Sequence, residues 1–429
     1  MMFEIRSRVE NVSRTVRIYD VVIFTSLLWF MVKFLRYLFP PLFDTIQVEY
    51  AITDADVGLM YTILLVTYGF MQFPSGYLSD KLNERIVITI GATTFAIASL
   101  LIFASSPYWS LIAAVVLMGI GTGMHKTVAI NLISRMYPGN KGLSLGVMDT
   151  VGQGGGVFAP MVIVVVLAYS VPWRLTFVFG FVLTVLLVIG FYRSVRRQER
   201  RDHEQERRDT ERTTDSETKT SSDGGKNEAS PGVAYLKLFR HYHFSAFVVV
   251  STIFTFTWVG VAAFYPLYLT RIGGLSGSTA GILYSFLFFL TVAQVVTGGL
   301  SDRFDSVRLV LVMFGMMGCG LIALVLWPSL VPLMIITLVL GVGLHGFRPV
   351  REAYLMDIIP GSIGGGGLGL VRSIMSVTGA ASPAIMGLIS DAVGLTNSFI
   401  LLLVVVLIGV VLIVTMIFVP MPDKKQLDL

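Results

Sequence analysis

A single cysteine, Cys319, stands among 429 residues, so the chain can form no internal disulfide and offers no multi-cysteine metal site. Charge is scarce as well: 14% of the residues are Asp, Glu, Lys or Arg, where soluble domains carry about 25%. The five histidines, His125, His203, His241, His243 and His345, are scattered and form no His-x-x-x-His pair. An enzyme needs a nucleophile or metal constellation, and these residues do not supply one. The glycine run "GSIGGGGLG" at 361–369 lacks the Gly-Lys-Ser/Thr of a nucleotide-cradling loop, which removes ATP as an energy source and leaves no cofactor to expect.

Apolar runs fill the place of charge. Hydrophobic residues make up 54% of the chain and its mean hydropathy is +0.76, values that belong in a lipid bilayer. Segments of the roughly 20 residues needed to cross one recur at 18–43, 56–78, 86–105, 109–136, 142–168, 174–192, 243–270, 278–300, 308–327, 330–357, 366–389 and 396–420. They predict an all-α integral membrane protein, with twelve transmembrane helices in two six-helix bundles, 18–192 and 241–420. The polar leader 1–17 is too charged for the front of a cleaved signal peptide and no small-residue cleavage site follows it. Residues 193–240 are charged and rich in Ser, Thr and Gly, with little to bury, so a disordered linker with a basic helix at its start is expected. A polar tail, 421–429, ends the chain.

The basic residues orient the bundle. Of the 32 Lys and Arg, 24 fall on the side of the leader, the linker, the loops at 81–85, 135–141 and 303–308, and the tail, whereas only Arg174 and Arg271 fall on the other. By the positive-inside rule both termini and the linker are expected to be cytoplasmic. Basic residues beside a membrane helix are the ordinary cytoplasmic anchor, so the linker is not assigned to nucleic acid. The opposite loop after the first segment fits: Asp44, Glu49, Asp54 and Asp56 occur there without a basic residue. A prokaryotic plasma membrane and a monomer are the expected setting.

Six basic residues remain, Lys33, Arg36, Lys126, Arg348, Arg351 and Arg372, and all lie inside the segments. Each would cost about 2.5–3.5 kcal/mol at the centre of a lipid-facing helix, so they are expected to face the interior, a watery path or each other. Snorkelling to the interface is the alternative for Lys33 and Arg36, and structural ion pairing, with Asp149, is the alternative for Lys126, Arg348 and Arg372.

The two halves repeat one pattern. "GLMYTILLVTYGFMQFPSGYLSDKLNER" (58–85) and "GILYSFLFFLTVAQVVTGGLSDRFDSVR" (281–308) both end in Gly-x-Leu-Ser-Asp-Lys/Arg. This motif between the second and third segments, and again between the eighth and ninth, resembles the major facilitator superfamily of secondary transporters over all but the linker and tails. The family loop continues with glycine and two basic residues, and here the first copy reads Leu82-Asn83-Glu84-Arg85. The resemblance implies a gate built from Gly76, Asp80, Lys81 and Arg85 and from Gly298, Asp302, Arg303 and Arg308, in which the Asp braces the cytoplasmic closure. The start of the eleventh segment, at 361–369, is a candidate partner, since a helix N-terminus has free N–H groups for a carboxylate.

Aligning the halves on Pro138 and Pro360 sets Lys126 against Arg348; aligning them on Pro160 and Pro383 sets Asp149 against Arg372. A pseudo-twofold axis would turn all four toward a central cavity, where substrates of such folds bind. Lys33, Arg36, Lys126, Arg348 and Arg372 are therefore the expected substrate ligands. Five cations against Asp149 favour a small organic anion, because arginine offers a carboxylate or phosphate two parallel hydrogen bonds. Proton-coupled drug export is the alternative, since aromatics such as Tyr61, Tyr68, Trp258 and Tyr265 are also present. Asp149, His125 and His345 are the candidates for coupling to a proton, a counter-anion being the other choice. Arg351 and Glu352 are expected to gate or anchor, with Glu352 four residues from Arg348 and so within reach of it.

Overall fold

The computed structural model describes residues 19–212, 239–327, 329–358 and 364–419. Within them are twelve helices long and apolar enough to cross a membrane. They are α1 (Asp20–Tyr50), α2 (Asp54–Leu82), α3 (Glu84–Ala104), α4 (Tyr108–Met136), α5 (Lys141–Ala168), α6 (Leu175–Arg212), α7 (Tyr242–Arg271), α8 (Gly277–Ser301), α9 (Ser306–Leu326), α10 (Leu330–Ile358), α11 (Gly364–Val393) and α12 (Leu395–Phe418). α1–α6 and α7–α12 form two pseudosymmetric bundles. The face at which α1 begins and α12 ends is called here the terminal face. Residues 1–18, 213–238, 328, 359–363 and 420–429, among them the leader, much of the linker and the tail, lie outside the described residues.

Local chemistry starts several helices where the sequence would place a cap. Thr53 and Asp56 form a reciprocal capping box at α2, with Asp56 accepting from the Thr53 N–H at 2.9 Å. Ser276 accepts from the Thr279 N–H at 3.2 Å at α8, and Asp305 from the Arg308 N–H at 2.9 Å at α9.

Three departures from the hydropathy pattern matter. α1 does not end near residue 43: Pro40 and Pro41 interrupt its hydrogen bonds with a short 3-10 turn, Pro40–Leu42, and a new helix, Phe43–Tyr50, follows. Proline is tolerated in a first helical turn, where its missing N–H has no intrahelical partner. Asp44 and Glu49 therefore stand on a helix rather than in a loop. α6 runs on to Arg212 instead of stopping at 192, and Arg85 pairs with Glu199 while the Tyr137 hydroxyl donates to Gln198 at 3.1 Å, tying the start of that extension to the bundle. α4 is interrupted at Met124 and His125, so Lys126 opens its second half, Lys126–Met136.

The halves meet through α2 against α11 and α5 against α8. At the face opposite the termini the α2–α11 contact leaves no room for side chains: a Cβ on Gly58 would lie 2.3 Å from the Pro383 carbonyl oxygen, and one on Gly387 2.3 Å from that of Asp54. Polar groups latch the same end. Arg271 donates to Asp44 and Asp54, each at 2.8 Å, and to Gln47. Asp54, whose side chain is 9% exposed, also accepts from Ser390 at 2.5 Å. Asp391 accepts from the N–H groups of Asp54 and Ala55, both at 3.0 Å, so a carboxylate of one half caps the first turn of a helix of the other. Tyr37 against Phe288, with ring centroids 4.4 Å apart, continues the seal inward.

This end is expected to open when its contacts are spoiled. In a Cys319→Ser background with a reporter thiol at the buried Val57, Gly387→Val overpacks the crossing by about 1–3 kcal/mol and should raise the rate of thiol modification about tenfold. Arg271→Gln strips a buried carboxylate of its charged donor, an effect of about 1.5–3 kcal/mol, and should act in the same direction. Unchanged reactivity in both variants would show that these contacts do not hold the face shut.

Candidate functional site

Between the halves lies a cavity of about 650 Å³ that opens toward the terminal face. Lys33 from α1, Tyr68 and Gln72 from α2, Lys126, Thr127 and Asn131 from α4, and Asp149 and Gln153 from α5 supply one wall. Phe254, Thr255 and Trp258 from α7, Gln294 from α8, Arg348, Arg351 and Glu352 from α10, and Arg372 and Ser376 from α11 supply the other. Four of the five expected substrate ligands, Lys33, Lys126, Arg348 and Arg372, thus share one space, and so do both members of each aligned pair. Arg36, one turn beyond Lys33, lies past the cavity end: its guanidinium sits 4.0 Å over the Tyr68 ring, and no carboxylate pairs with it among the described residues.

The partners of these charges are unequal. Lys126 and Asp149 approach to 3.8 Å and both are well hydrated, with side chains 36% and 54% exposed. Glu352 does not pair with Arg348, the residue one turn before it. It accepts from Arg351 at 2.5 Å and from Arg372 at 3.0 Å, so one carboxylate serves two guanidinium groups. The cause is packing: α11 brings Arg372 alongside, while Arg348 turns to α7 and stacks 4.6 Å from the centroid of Trp258. Lys33 finds only a neutral acceptor, the Gln153 amide oxygen at 3.2 Å. Among the described lining residues five cations face two carboxylates, and Lys33 and Arg348 form no ion pair, although Asp149 is near enough to attract both.

Aromatic rings fill part of the deficit. Lys33 and Lys126 each hold their ammonium 5.3 Å from the Trp29 ring, and Arg351 lies 5.9 Å from Phe254. The two histidines expected to couple transport complete similar groupings on the two sides: His125 stacks on Trp29 and holds Nε2 3.2 Å from the Thr25 carbonyl oxygen, and His345 packs edge-on against Trp258 at 4.9 Å. Neither histidine lines the cavity. Trp29 escaped the sequence analysis because an apolar helix gives no sign of which of its faces two lysines will share.

The duplicated loop stands at the terminal face, away from the cavity wall. Asp80, Lys81, Asp302, Arg303 and Arg308 are exposed, and among the described residues none of them bridges the halves. Of the partner expected for the acids, the stretch 361–369, residues 361–363 lie outside the described residues and 364–369 open α11. Arg85 turns to Glu199 and Glu84 to Arg135 at 2.8 Å, both within the first half. Asn83 stands where the family has glycine and takes φ 80° with ψ 139°, a positive-φ backbone that favours glycine. Gly76 is open to space, and a Cβ on Gly298 would meet only Pro349 at 3.7 Å. Arg351 and Glu352 belong instead to the cavity wall.

Comparison with known proteins fits this architecture. A model of the Major Facilitator Superfamily matches residues 25–330 and again 249–428. The Fosmidomycin resistance protein of Escherichia coli (strain K12) is 22% identical over 353 residues, covering 82% of this chain and 81% of that one. The Phosphoglycerate transporter protein of Salmonella typhimurium (strain LT2) is 24% identical over 372 residues, covering 82% of this chain and 78% of its own. The crystal structure of a bacterial homologue of the human lysosomal transporter Spinster, in an inward-facing and unoccupied conformation, superposes with a TM-score of 0.73 over 92% of this chain and 96% of that one, at 16% identity, a likeness of fold alone. With twelve spanning helices in two related bundles, a cavity between them and a family match that runs through both, the chain belongs to the Major Facilitator Superfamily of secondary transporters.

Proposed function

We propose that the protein carries a small organic anion, a carboxylate or a phosphorylated metabolite, across the plasma membrane by alternating access. The observation that carries this is the imbalance in the cavity, where Lys33 and Arg348 form no ion pair and Arg351 and Arg372 share Glu352. An anion supplies the missing charge, and guanidinium groups hold carboxylate or phosphate through paired hydrogen bonds. Lys126 and Thr127, at the start of the second half of α4, add the positive end of a helix dipole at the same wall. A relative named as a phosphoglycerate transporter is in keeping with this substrate class.

The basic loops assign the terminal face to the cytoplasm, so the cavity is open inward and the latch at Arg271 closes the outside. Lys33, Lys126, Arg348 and Arg372 are the proposed ligands, with Arg36 held in reserve behind Tyr68. The movement is coupled to a proton or to a counter-anion; Asp149 is the group suited to the first, since it lines the cavity beside Lys126. Drug export, with a cation as one cargo, is the second reading, and a relative named for fosmidomycin resistance is in keeping with drug export although that name does not specify a cation. Against it, the faces of Trp29, Tyr68, Phe254 and Trp258 that would receive such a cation are already held by the chain's own lysines and arginines.

Thermal unfolding of the purified protein against small carboxylates, phosphorylated metabolites, neutral sugars and cationic drugs tests the proposal. At a hundredfold excess over Kd a true ligand stabilises by about 2.7 kcal/mol. Anions should raise Tm in the wild type and fail to do so in Arg348→Gln. Stabilisation by cations or sugars alone would mean that the basic residues serve only internal pairs.

A further inference from the structure

The cavity wall is not built for charge alone. Tyr68, Phe254 and Trp258 carry aromatic surface into it, and Ile130, Pro349 and Met375 carry aliphatic surface. A small hydrated anion gains nothing from such surface, whereas a ring that leaves water to lie against it does.

The cations and the rings are placed together. Arg348 lies over Trp258, 4.6 Å from its centroid. Trp258 is itself buried and held by Phe288, T-shaped at 5.5 Å, and by His345 at 4.9 Å, so it offers a fixed platform. A guanidinium laid over an indole commits one face to the ring and keeps its N–H edge for an acceptor. Two oxygens in one plane meet that edge best, and a carboxylate supplies them. In an aromatic acid the carboxylate is conjugated with its ring and coplanar with it, so capture by the edge of Arg348 carries the ring alongside the aromatic wall. A carboxylate on a saturated carbon, or a phosphate on its ester oxygen, turns its substituent out of that plane.

Tyr68 gives a second platform. It lines the cavity, whereas Arg36, 4.0 Å over its ring, does not, so Tyr68 stands between that guanidinium and the cavity. Two π faces repel through their negative quadrupoles, and a cation behind one of them draws its electrons back and weakens the repulsion. Arg36 therefore acts on the cavity through the ring, without touching what binds there. Tyr37, within electrostatic reach of Arg36, Arg348 and Tyr68, joins the two platforms at the inner end.

We infer that the cavity selects a planar aromatic carboxylate, its carboxylate taken by Arg348 and Lys33 and its ring preferred through Trp258 and Tyr68. The inference rests on the anion reading and narrows its substrate class. Gln72, Asn131 and Gln294 offer neutral donors and acceptors to hydroxyl groups on such a ring.

Calorimetric titration of the full-length protein at neutral pH with benzoate, cyclohexanecarboxylate, benzamide and 3-phosphoglycerate tests this. Benzoate and cyclohexanecarboxylate share charge and approximate size, and only the first has a planar ring, so the ratio of their Kd values reads the ring alone. Benzoate should bind about tenfold more tightly than cyclohexanecarboxylate, and more tightly than 3-phosphoglycerate. Benzamide, which has the ring without the charge, should bind at least about tenfold more weakly than benzoate. Trp258→Leu and Tyr68→Leu should each bring the ratio toward one, and Tyr68→Phe, which restores the ring, should restore it. If Trp258→Leu does not fold, the wild-type ratio and the Tyr68 pair decide. Benzoate no tighter than cyclohexanecarboxylate, tighter binding of 3-phosphoglycerate, or a ratio that survives the leucine variants overturns the aromatic assignment and leaves the anion reading standing. Benzamide bound as tightly as benzoate, or no anion bound at all, overturns the anion reading and the aromatic assignment with it.

Discussion

A charged side chain cannot face hydrocarbon, and this chain places six basic residues within its membrane-spanning helices. That constraint organises the molecule. The helices bearing them, α1, α4, α10 and α11, must turn one face toward a common interior, and the interior must admit water to hydrate what the acids do not pair. The cavity is thus the form that the excess charge imposes as much as a container for a substrate. Tryptophans and tyrosines beneath the cations lower the cost of holding them there, and they do so on both sides of the pseudo-twofold axis.

The closed face obeys an opposite logic. There the backbones of α2 and α11 touch through Gly58 and Gly387, and each charge is matched: Arg271 by Asp44 and Asp54, Arg174 by Glu49 at 2.9 Å, and Asp391 by backbone N–H groups. One end is dry, tight and neutralised, and the other wet, wide and electropositive. Two states of comparable energy require such a contrast, because the interactions lost in opening one face have to be offset by those gained in closing the other.

Much of this was legible in the residues. Run length gave the twelve spans, and the repeat aligned Lys126 with Arg348 and Asp149 with Arg372, all four of which line one cavity. What the sequence hid was mostly non-local. Whether Pro40 and Pro41 end α1 or begin its next turn depends on what packs beyond them. Glu352 seemed placed for Arg348 one turn away, yet an arginine twenty residues on was nearer once α11 had docked. The latch was foreshadowed only by scarcity: Arg174 and Arg271 are the two basic residues of a face that carries Asp44, Glu49, Asp54, Asp56 and Asp391, and they pair with Glu49 and with Asp44 and Asp54 respectively. Asn83 hid a glycine-like geometry behind a changed letter, since its positive φ is what a glycine there would have supplied.

The arginines of the cavity have an electrical consequence. Their charge is permanent, so it stays with the protein whether or not a substrate is bound. The field acts on each elementary charge with about 2.3 kcal/mol per 100 mV, so any of these groups that shifts along the membrane normal between the two states makes the balance of those states depend on voltage.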